Sequence, residues 1–260
     1  MNKHAYSIAL FAASAFFLVA ANAQAVYIPD NYHGDGTVAQ DLSPGTNPDV
    51  YDLDNQGYDV AGMDVKVEGS KLTVVLNGNY FKTWGNSSEN EIFQPGPLFL
   101  STDGWNPTGT ATDFYASDNK NNGEKWEYAV TLNNLMSNGA PEMGGTTSLY
   151  STTDGTITSG SLRTMQEAWF TPENKEDALA TGSWLLDPSQ STLTITIDLS
   201  KTGWDGIQDL GLHWTMACGN DVIEGAYSPT TPAPVPEPAT VLLFGAGLIG
   251  LAGCARRRNR

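Results

Sequence analysis

The chain has 260 residues and a formal net charge of −16 at pH 7, with 13 basic residues against 29 acidic ones. This balance excludes nucleic acid as a partner, because phosphate binding needs clustered Lys and Arg. It is compatible with divalent cations, calcium above all. Two cysteines and three histidines exclude a disulfide-rich framework and make a zinc site built on histidines unexpected.

Residues 1–25 have the three parts of a secretory signal peptide. Lys3 supplies the positive charge, residues 8–20 form a short apolar segment, and Ala23 or Ala25 offers a small residue for cleavage. The alternative is an uncleaved N-terminal anchor. Removal of both chain ends leaves 8 basic residues against about 28 acidic ones, so the exported part is more acidic than the whole chain.

Residues 26–227 are predicted to form one domain, because they are enough to bury a sizeable core. Residues 26–58 are rich in Gly, Pro and acids and predict a loop. Residues 63–68 then alternate apolar and polar side chains, which predicts a half-buried strand. With the Gly69-Ser70 turn they predict a hairpin that pairs residues 59–68 with 71–81.

The rest of the body is also dominated by short β patterns. Further strands are predicted at 98–101, 126–132, 147–150, 155–159, 183–186, 193–199 and 210–216. Short helices are predicted at 161–170 and 172–180, the second with Thr171 as N-cap and Pro172 as first residue. This pattern predicts an all-β fold, a single jelly-roll-like β-sandwich with short helices.

The C-terminal part divides into a linker and a three-part tail. Residues 228–235 are rich in Pro and Thr and predict an extended linker. Pro236-Glu237-Pro238 follows, then an uncharged apolar segment at 239–255, then Arg256, Arg257, Arg258 and Arg260. The segment is long enough for a short membrane-spanning helix, and the arginines place its end in the cytoplasm. A plain anchor that is never cut is the alternative.

This tail resembles the PEP-CTERM sorting signal of Gram-negative bacteria that make exopolysaccharide. The resemblance implies recognition by exosortase, a membrane transpeptidase, through Pro236, Glu237, Pro238 and the Arg256, Arg257 and Arg258 cluster. It also implies export across the inner membrane, anchoring through the C-terminal helix, and then processing towards the cell surface or extracellular matrix. The body resembles the ectodomain of one PEP-CTERM protein group and, in architecture only, jelly-roll carbohydrate-binding modules.

The segment from His213 to Glu224 is the richest in functional side-chain types. Alternation places His213, Thr215 and Ala217 on one face of a strand and Trp214, Met216 and Cys218 on the other. His213 and the following acids could hold a ligand, or the segment is a core strand with an Asn-Asp turn. Cys218, the one cysteine of the exported part, is expected to be a small buried hydrophobe.

Two acidic sets are candidates for calcium. The first is Asp49, Asp52, Asp54 and Asp59, whose spacing does not match an EF-hand loop. The second is Asp103, Asp113 and Asp118. The alternative for both sets is solvated loop carboxylates.

Tryptophan supplies the candidate glycan-binding residues. Trp84 and Trp105 lie in polar, turn-rich sequence, where an exposed ring could stack on a sugar face. Trp126, Trp184 and Trp214 lie on alternating strands, for which core packing is expected.

These features predict an exported, non-enzymatic structural or adhesive protein. No Gly-x-Ser-x-Gly elbow, His-Glu-x-x-His motif or phosphate loop occurs in the sequence. The alternative is a lectin-like module that binds exopolysaccharide, with calcium as a candidate ion. A secreted glycan hydrolase is the least favoured function. Carboxylate pairs are common in so acidic a chain, so their presence does not indicate a glycosidase active site.

Overall fold

The computed structural model describes residues 25–32, 34, 58–85, 94–200, 202, 204 and 209–229. The signal peptide, most of the linker and the tail lie outside these residues, as do Asp49, Asp52 and Asp54. Within the described part, no helix has both the length and the apolar character needed to cross a membrane.

The described residues are predominantly β-strands, which confirms the all-β class. The strands are β1 (Val26–Pro29), β2 (Gly62–Glu68), β3 (Lys71–Asn77), β4 (Pro95–Ser101), β5 (Tyr128–Leu132), β6 (Met136–Ser137), β7 (Ala140–Pro141), β8 (Gly144–Ser151), β9 (Gly155–Ser159), β10 (Glu167–Pro172), β11 (Ala180–Asp187), β12 (Thr192–Asp198), β13 (Leu210–Met216) and β14 (Val222–Tyr227). The described residues also include one α-helix, α1 (Asn79–Gly85), and 3₁₀ turns at Thr152–Asp154 and Lys175–Asp177.

Ten strands form one antiparallel sheet in the order β1-β2-β3-β12-β11-β8-β5-β4-β13-β14. The sheet curls until its two edge strands meet, because Ile28 of β1 packs against Gly225 of β14. The two layers expected of a sandwich are therefore opposite walls of one sheet.

The interior is filled by alternate residues of each strand. Leu193, Ile195 and Ile197 of β12 point inward and are buried, while the threonines between them lie on the outer side. Trp214, Met216 and Cys218 face the same interior, which confirms the faces predicted for this segment. Burial of this many apolar side chains is the main stabilising contribution to the fold.

A second, smaller apolar cluster lies on the outer side of the sheet. It comprises Phe99, Trp126, Ala129, Tyr150 and Phe170. Phe170 belongs to the β9-β10 hairpin, so this hairpin covers the outer face of β4, β5 and β8. Trp126, for which core packing was predicted, precedes β5 and is buried in this outer cluster, on the opposite side of the sheet from Val130.

Several predicted elements are confirmed and others are wrong. The β2-β3 hairpin and the strands β11, β12 and β13 occur as predicted. The helix predicted at 161–170 is wrong, because its second half is β10, paired with β9. The helix at 172–180 is reduced to one 3₁₀ turn, capped by Asn174 rather than Thr171. Tyr80 and Phe81, predicted at a strand end, lie in α1.

The outer side of β3, β12, β11 and β8 carries hydroxyl side chains in register. Thr73, Thr196, Ser183 and Thr146 are successive cross-strand partners. The hydroxyl oxygens of Ser183 and Thr196 are 2.9 Å apart. This row, here called the hydroxyl row, carries no charge in a chain of net charge −16.

Candidate functional site

The predicted face of His213 carries a row of cross-strand partners. Glu224, His213, Phe99, Ala129 and Tyr150 lie opposite one another in turn on β14, β13, β4, β5 and β8. The row is on the outer side of the sheet but is buried beneath other chain segments. It therefore brings one histidine and one carboxylate into an apolar layer.

His213 is held by both ring nitrogens. Its Nδ1 lies 2.7 Å from Oε1 of Glu224, and its Nε2 lies 2.5 Å from the backbone carbonyl oxygen of Glu167. Because a carbonyl oxygen only accepts, Nε2 carries a proton and donates it. The hydrogen bond between Nδ1 and Glu224 needs a second proton, which these two groups share. Burial lowers the pKa of His213, but the hydrogen bond and charge of Glu224 outweigh it, and the net pKa is raised.

Glu167 adds a second carboxyl group to this layer. Its side chain is 6% exposed, and burial raises its pKa to about 7, opposed by His213 and reinforced by Glu224 and Asp118. Protonated Glu167 beside a His213–Glu224 ion pair leaves the smallest uncompensated charge in the layer.

Residues 102–127 form a loop that lies over Glu224, here called the aromatic loop. The indole Nε1 of Trp105 donates to Oε2 of Glu224 at 3.0 Å. Both carboxylate oxygens of Glu224 are thus used, one by His213 and one by Trp105. The Trp105 ring is half-buried and meets Tyr115 edge to face, with centroids 4.8 Å apart.

A buried polar chain fixes the other side of the aromatic loop. Oδ1 of Asp118 accepts from the backbone N–H of Thr108 at 3.0 Å, and Oδ2 lies 3.1 Å from the hydroxyl of Tyr32. That hydroxyl also lies 3.3 Å from Oε1 of Gln166. Burial raises the pKa of Asp118. The Tyr32 hydroxyl has one proton, which it donates either to Oδ2 of Asp118 or to Oε1 of Gln166.

The tip of the aromatic loop has an uncommon backbone conformation. Phe114 and Tyr115 have φ angles of 54° and 55°. These angles lie in the left-handed region, which costs each residue that has a Cβ about 1–2 kcal/mol. Asp113 supports this turn by accepting from the backbone N–H groups of Thr110 and Tyr115. This turn places the half-buried ring of Tyr115 against Trp105.

Three carboxylates at the base of the aromatic loop could hold a metal ion. Oxygen atoms of Asp103, Glu124 and Glu127 lie within 4.8 Å of one another. Each also accepts a hydrogen bond: Asp103 from the hydroxyl of Ser101, Glu124 from the N–H of Asn106, and Glu127 from the N–H of Thr102. Oxygen donors of this kind suit calcium or magnesium.

The predicted site residues fall into different surroundings. Trp84 is 2% exposed in the core, so its ring is not exposed as its prediction as a glycan-binding residue requires. Trp105 is half-buried at the surface as that role requires, and its binding stays a prediction. Cys218 is buried, and burial raises the pKa of its thiol to about 11, which confirms the small buried hydrophobe.

The second predicted acidic set is not assembled as expected, whereas three members of the first set lie outside the described residues and that set stays a prediction. Asp59 is half-buried, and its backbone carbonyl accepts from the N–H of Tyr80 at the start of α1. Asp103 joins Glu124 and Glu127, Asp118 is buried with Tyr32, and Asp113 caps its own turn. Sequence reasoning missed Glu167, Glu124 and Glu127, because Glu167 fell in a predicted helix and the other two near a strand end.

The comparisons with known proteins give one match. The model of the PEP-CTERM protein-sorting motif matches residues 234–258, which include Pro236, Glu237, Pro238 and the first three arginines of the tail. The motif is the recognition signal for exosortase, so the chain is an exported protein with an exosortase as partner. No curated protein and no solved structure matches the chain.

Proposed function

We propose that this PEP-CTERM protein is a non-enzymatic structural or adhesive component of the cell surface or exopolysaccharide matrix. The observation that carries the proposal is the sorting motif at residues 234–258, which follows a closed all-β domain. The motif directs the sorting of the protein by exosortase, and the all-β domain is the part that is displayed. Before processing, the predicted helix at 239–255 holds the protein in the inner membrane.

The motif's role is tested by Glu237→Ala in a Gram-negative host that makes exosortase. The expected result is an unprocessed, membrane-retained form with little protein at the surface. Glu173→Ala, an exposed acid in the β10-β11 connection, is the matched control and should be processed normally. Normal processing and display of the Glu237 variant would contradict the exosortase route.

The hydroxyl row supports an adhesive role for the displayed domain. Its side chains offer both hydrogen-bonding groups and methyl groups without a charge to desolvate. An uncharged, hydrogen-bonding strip on an otherwise acidic surface suits contact with hydrated polymer, because burying paired hydroxyls costs far less than burying carboxylates.

A second candidate function is glycan binding at the aromatic loop. It is favoured by the half-buried ring of Trp105, whose orientation is fixed by the hydrogen bond to buried Glu224. A ring fixed before binding loses little conformational entropy when a sugar stacks on it. Tyr115, in edge-to-face contact with Trp105, extends the aromatic surface.

The charge around Trp105 selects the class of glycan. Glu124 accepts from the N–H of the next residue, Asn106, and lies close to the carboxylates of Asp103 and Glu127. A polyuronate would bring like charges together, whereas a neutral or amine-bearing glycan would not. The site is therefore proposed to take neutral glycans or N-deacetylated amino-sugar polymers.

Affinity electrophoresis with three polymers tests this candidate: a neutral β-glucan, a partly N-deacetylated chitin and a polygalacturonate. Retardation by either of the first two, lost in Trp105→Ala and kept in the matched control Trp169→Ala, is the expected result. Trp169 is also half-buried but lies on β10. Preferential retardation by the polyuronate would contradict the site, and release of reducing sugar would indicate a hydrolase instead.

A further inference from the structure

The two edge strands of the sheet meet without forming a ladder. Among the described residues, β1 pairs only with β2, and β14 pairs only with β13. Contact between them is made by Ile28, which is 5% exposed, against the backbone of Gly225. A Cβ added at Gly225 would lie 2.5 Å from Cγ2 of Ile28, so only glycine permits this approach. The seam is closed by side-chain packing.

The antiparallel order fixes where the two ends of the domain lie. Ten strands alternate in direction, so β1 begins at the end of the sheet where β14 finishes. Val26 is opposite Val65, and Tyr227 lies against the backbone of Val67, two residues further along β2. At the opposite end, the N–H of Val60 donates to Oδ2 of Asp221 at 2.6 Å.

Val26 and Tyr227 are also the strand residues nearest in sequence to the two predicted membrane segments, the signal peptide and the C-terminal helix. Val26 directly follows the predicted signal peptide, and eight residues separate Tyr227 from Pro236. Eight residues reach at most roughly 29 Å when fully extended. A domain of this size is about 40 Å across, so the linker is shorter than the domain is wide.

We infer that the end of the sheet carrying Val26 and Tyr227, here called the tethered end, faces the membrane during export, and that the domain closes before its tail is processed. Both membrane segments leave from the same end, so the sheet can close while both are still in the bilayer. Exosortase then acts on a folded domain that stands on a short linker.

The orientation is tested with spin labels in membranes from a host that lacks exosortase, where the full chain keeps its tail. Lys71→Cys places a label at the tethered end, where Lys71 is opposite Asp198. Gln190→Cys places one in the β11-β12 turn at the far end. Both residues are exposed, and both variants carry Cys254→Ser to remove the tail thiol.

The expected result is a several-fold stronger relaxation of the residue-71 label by a nickel-chelating lipid headgroup. Equal relaxation at the two positions, or stronger relaxation at residue 190, would overturn the inferred orientation. A water-soluble nickel chelate is the control, since it should reach both exposed labels to a similar degree.

The order of events is tested by locking the seam. An ideal Cβ at Gly225 lies 3.6 Å from Cβ of Ile28, within the range that a disulfide needs. Ile28→Cys with Gly225→Cys should therefore crosslink in the oxidising compartment. In a host with exosortase, the oxidised double variant should be processed to the same extent as each single variant.

Accumulation of the oxidised form with its tail still attached would overturn the inference that a closed domain is processed. Failure of the two cysteines to crosslink would overturn the seam itself. A sorting defect unrelated to closure is distinguishable, because it would affect the single-cysteine variants equally.

Discussion

His213 and Glu224 lie directly opposite each other on β13 and β14, with Nδ1 and Oε1 2.7 Å apart. The pair is on the outer side of the sheet and is nonetheless fully covered. Glu224 also binds Trp105 of the aromatic loop, and His213 also binds the backbone of Glu167 in β10. This ion pair thus connects both the aromatic loop and β10 to the sheet by hydrogen bonds.

The substitution Glu224→Gln should lower the free energy of unfolding. The amide keeps an acceptor for Trp105 but removes the charge that stabilises His213. Breaking one side of a buried pair costs about 3–5 kcal/mol, so the free energy of unfolding should fall by about that amount. Urea unfolding followed by tryptophan fluorescence measures it. Glu176→Gln, an exposed acid in the Lys175–Asp177 turn, should change it by less than about 0.5 kcal/mol; equal effects would contradict the role of the pair.

Stability should rise on mild acidification. Glu167 has a pKa of about 7 when folded against 4.5 for the free side chain, so the folded state binds its proton more tightly. The free energy of unfolding therefore falls as pH rises from about 4.5 to 7, by up to about 3 kcal/mol. His213 acts in the same direction, since its raised pKa gives stability that is lost as pH rises through the folded value.

Urea unfolding at pH 5 and pH 8 checks this pH dependence. Glu167→Gln, which mimics the protonated group, should reduce the difference between the two pH values, whereas Glu176→Gln should leave it unchanged. A wild-type protein that is more stable at pH 8 than at pH 5 would contradict the buried, protonated state of Glu167.

Gly225→Ala should open the seam between β1 and β14. The new Cβ would overlap Cγ2 of Ile28, and overpacking of this kind costs typically about 1–3 kcal/mol. Ile28→Ala in the same chain removes the overlap, so the double variant should be less destabilised than the sum of the two single variants. Additive losses in thermal unfolding would show that the two residues do not touch.

Trp84→Ala and Trp105→Ala should separate stability from binding. Trp84 is buried in the core, and its truncation should cost about 3–5 kcal/mol. Trp105 is half-buried, so its loss should be smaller in unfolding experiments but should abolish retardation by glycan. The reverse pattern, with binding lost only in Trp84→Ala protein that remains folded, would move the site elsewhere.

The contrast between these tryptophans shows what the sequence could and could not predict. Alternation along residues 210–216 correctly placed His213 and Trp214 on opposite faces, because the strand period is local. Turn-rich sequence around Trp84 and Trp105 looked the same, yet one ring fills the core and the other does not. That difference depends on long-range packing, which a single segment does not encode.

Strand β14 and the helix predicted at 161–170 illustrate the same limit. No strand was predicted at residues 222–227, where Glu224 is paired across the ladder with His213 and Gly225 admits Ile28. Glu167 fell in the predicted helix, although Trp169, Phe170 and Thr171 favour a strand. Pairing with β9 settled the conformation, and only that pairing brings Glu167 to His213.

The most direct test of the proposed function is co-sedimentation of the processed protein with exopolysaccharide from the producing organism, with and without calcium. The account predicts saturable binding that survives moderate salt. A loss in Trp105→Ala but not in Trp169→Ala would locate this binding at the aromatic loop. A requirement for calcium would direct mutagenesis to Asp103, Glu124 and Glu127. No binding in either condition would contradict an adhesive matrix role and leave the sorting motif as the chain's one assigned activity.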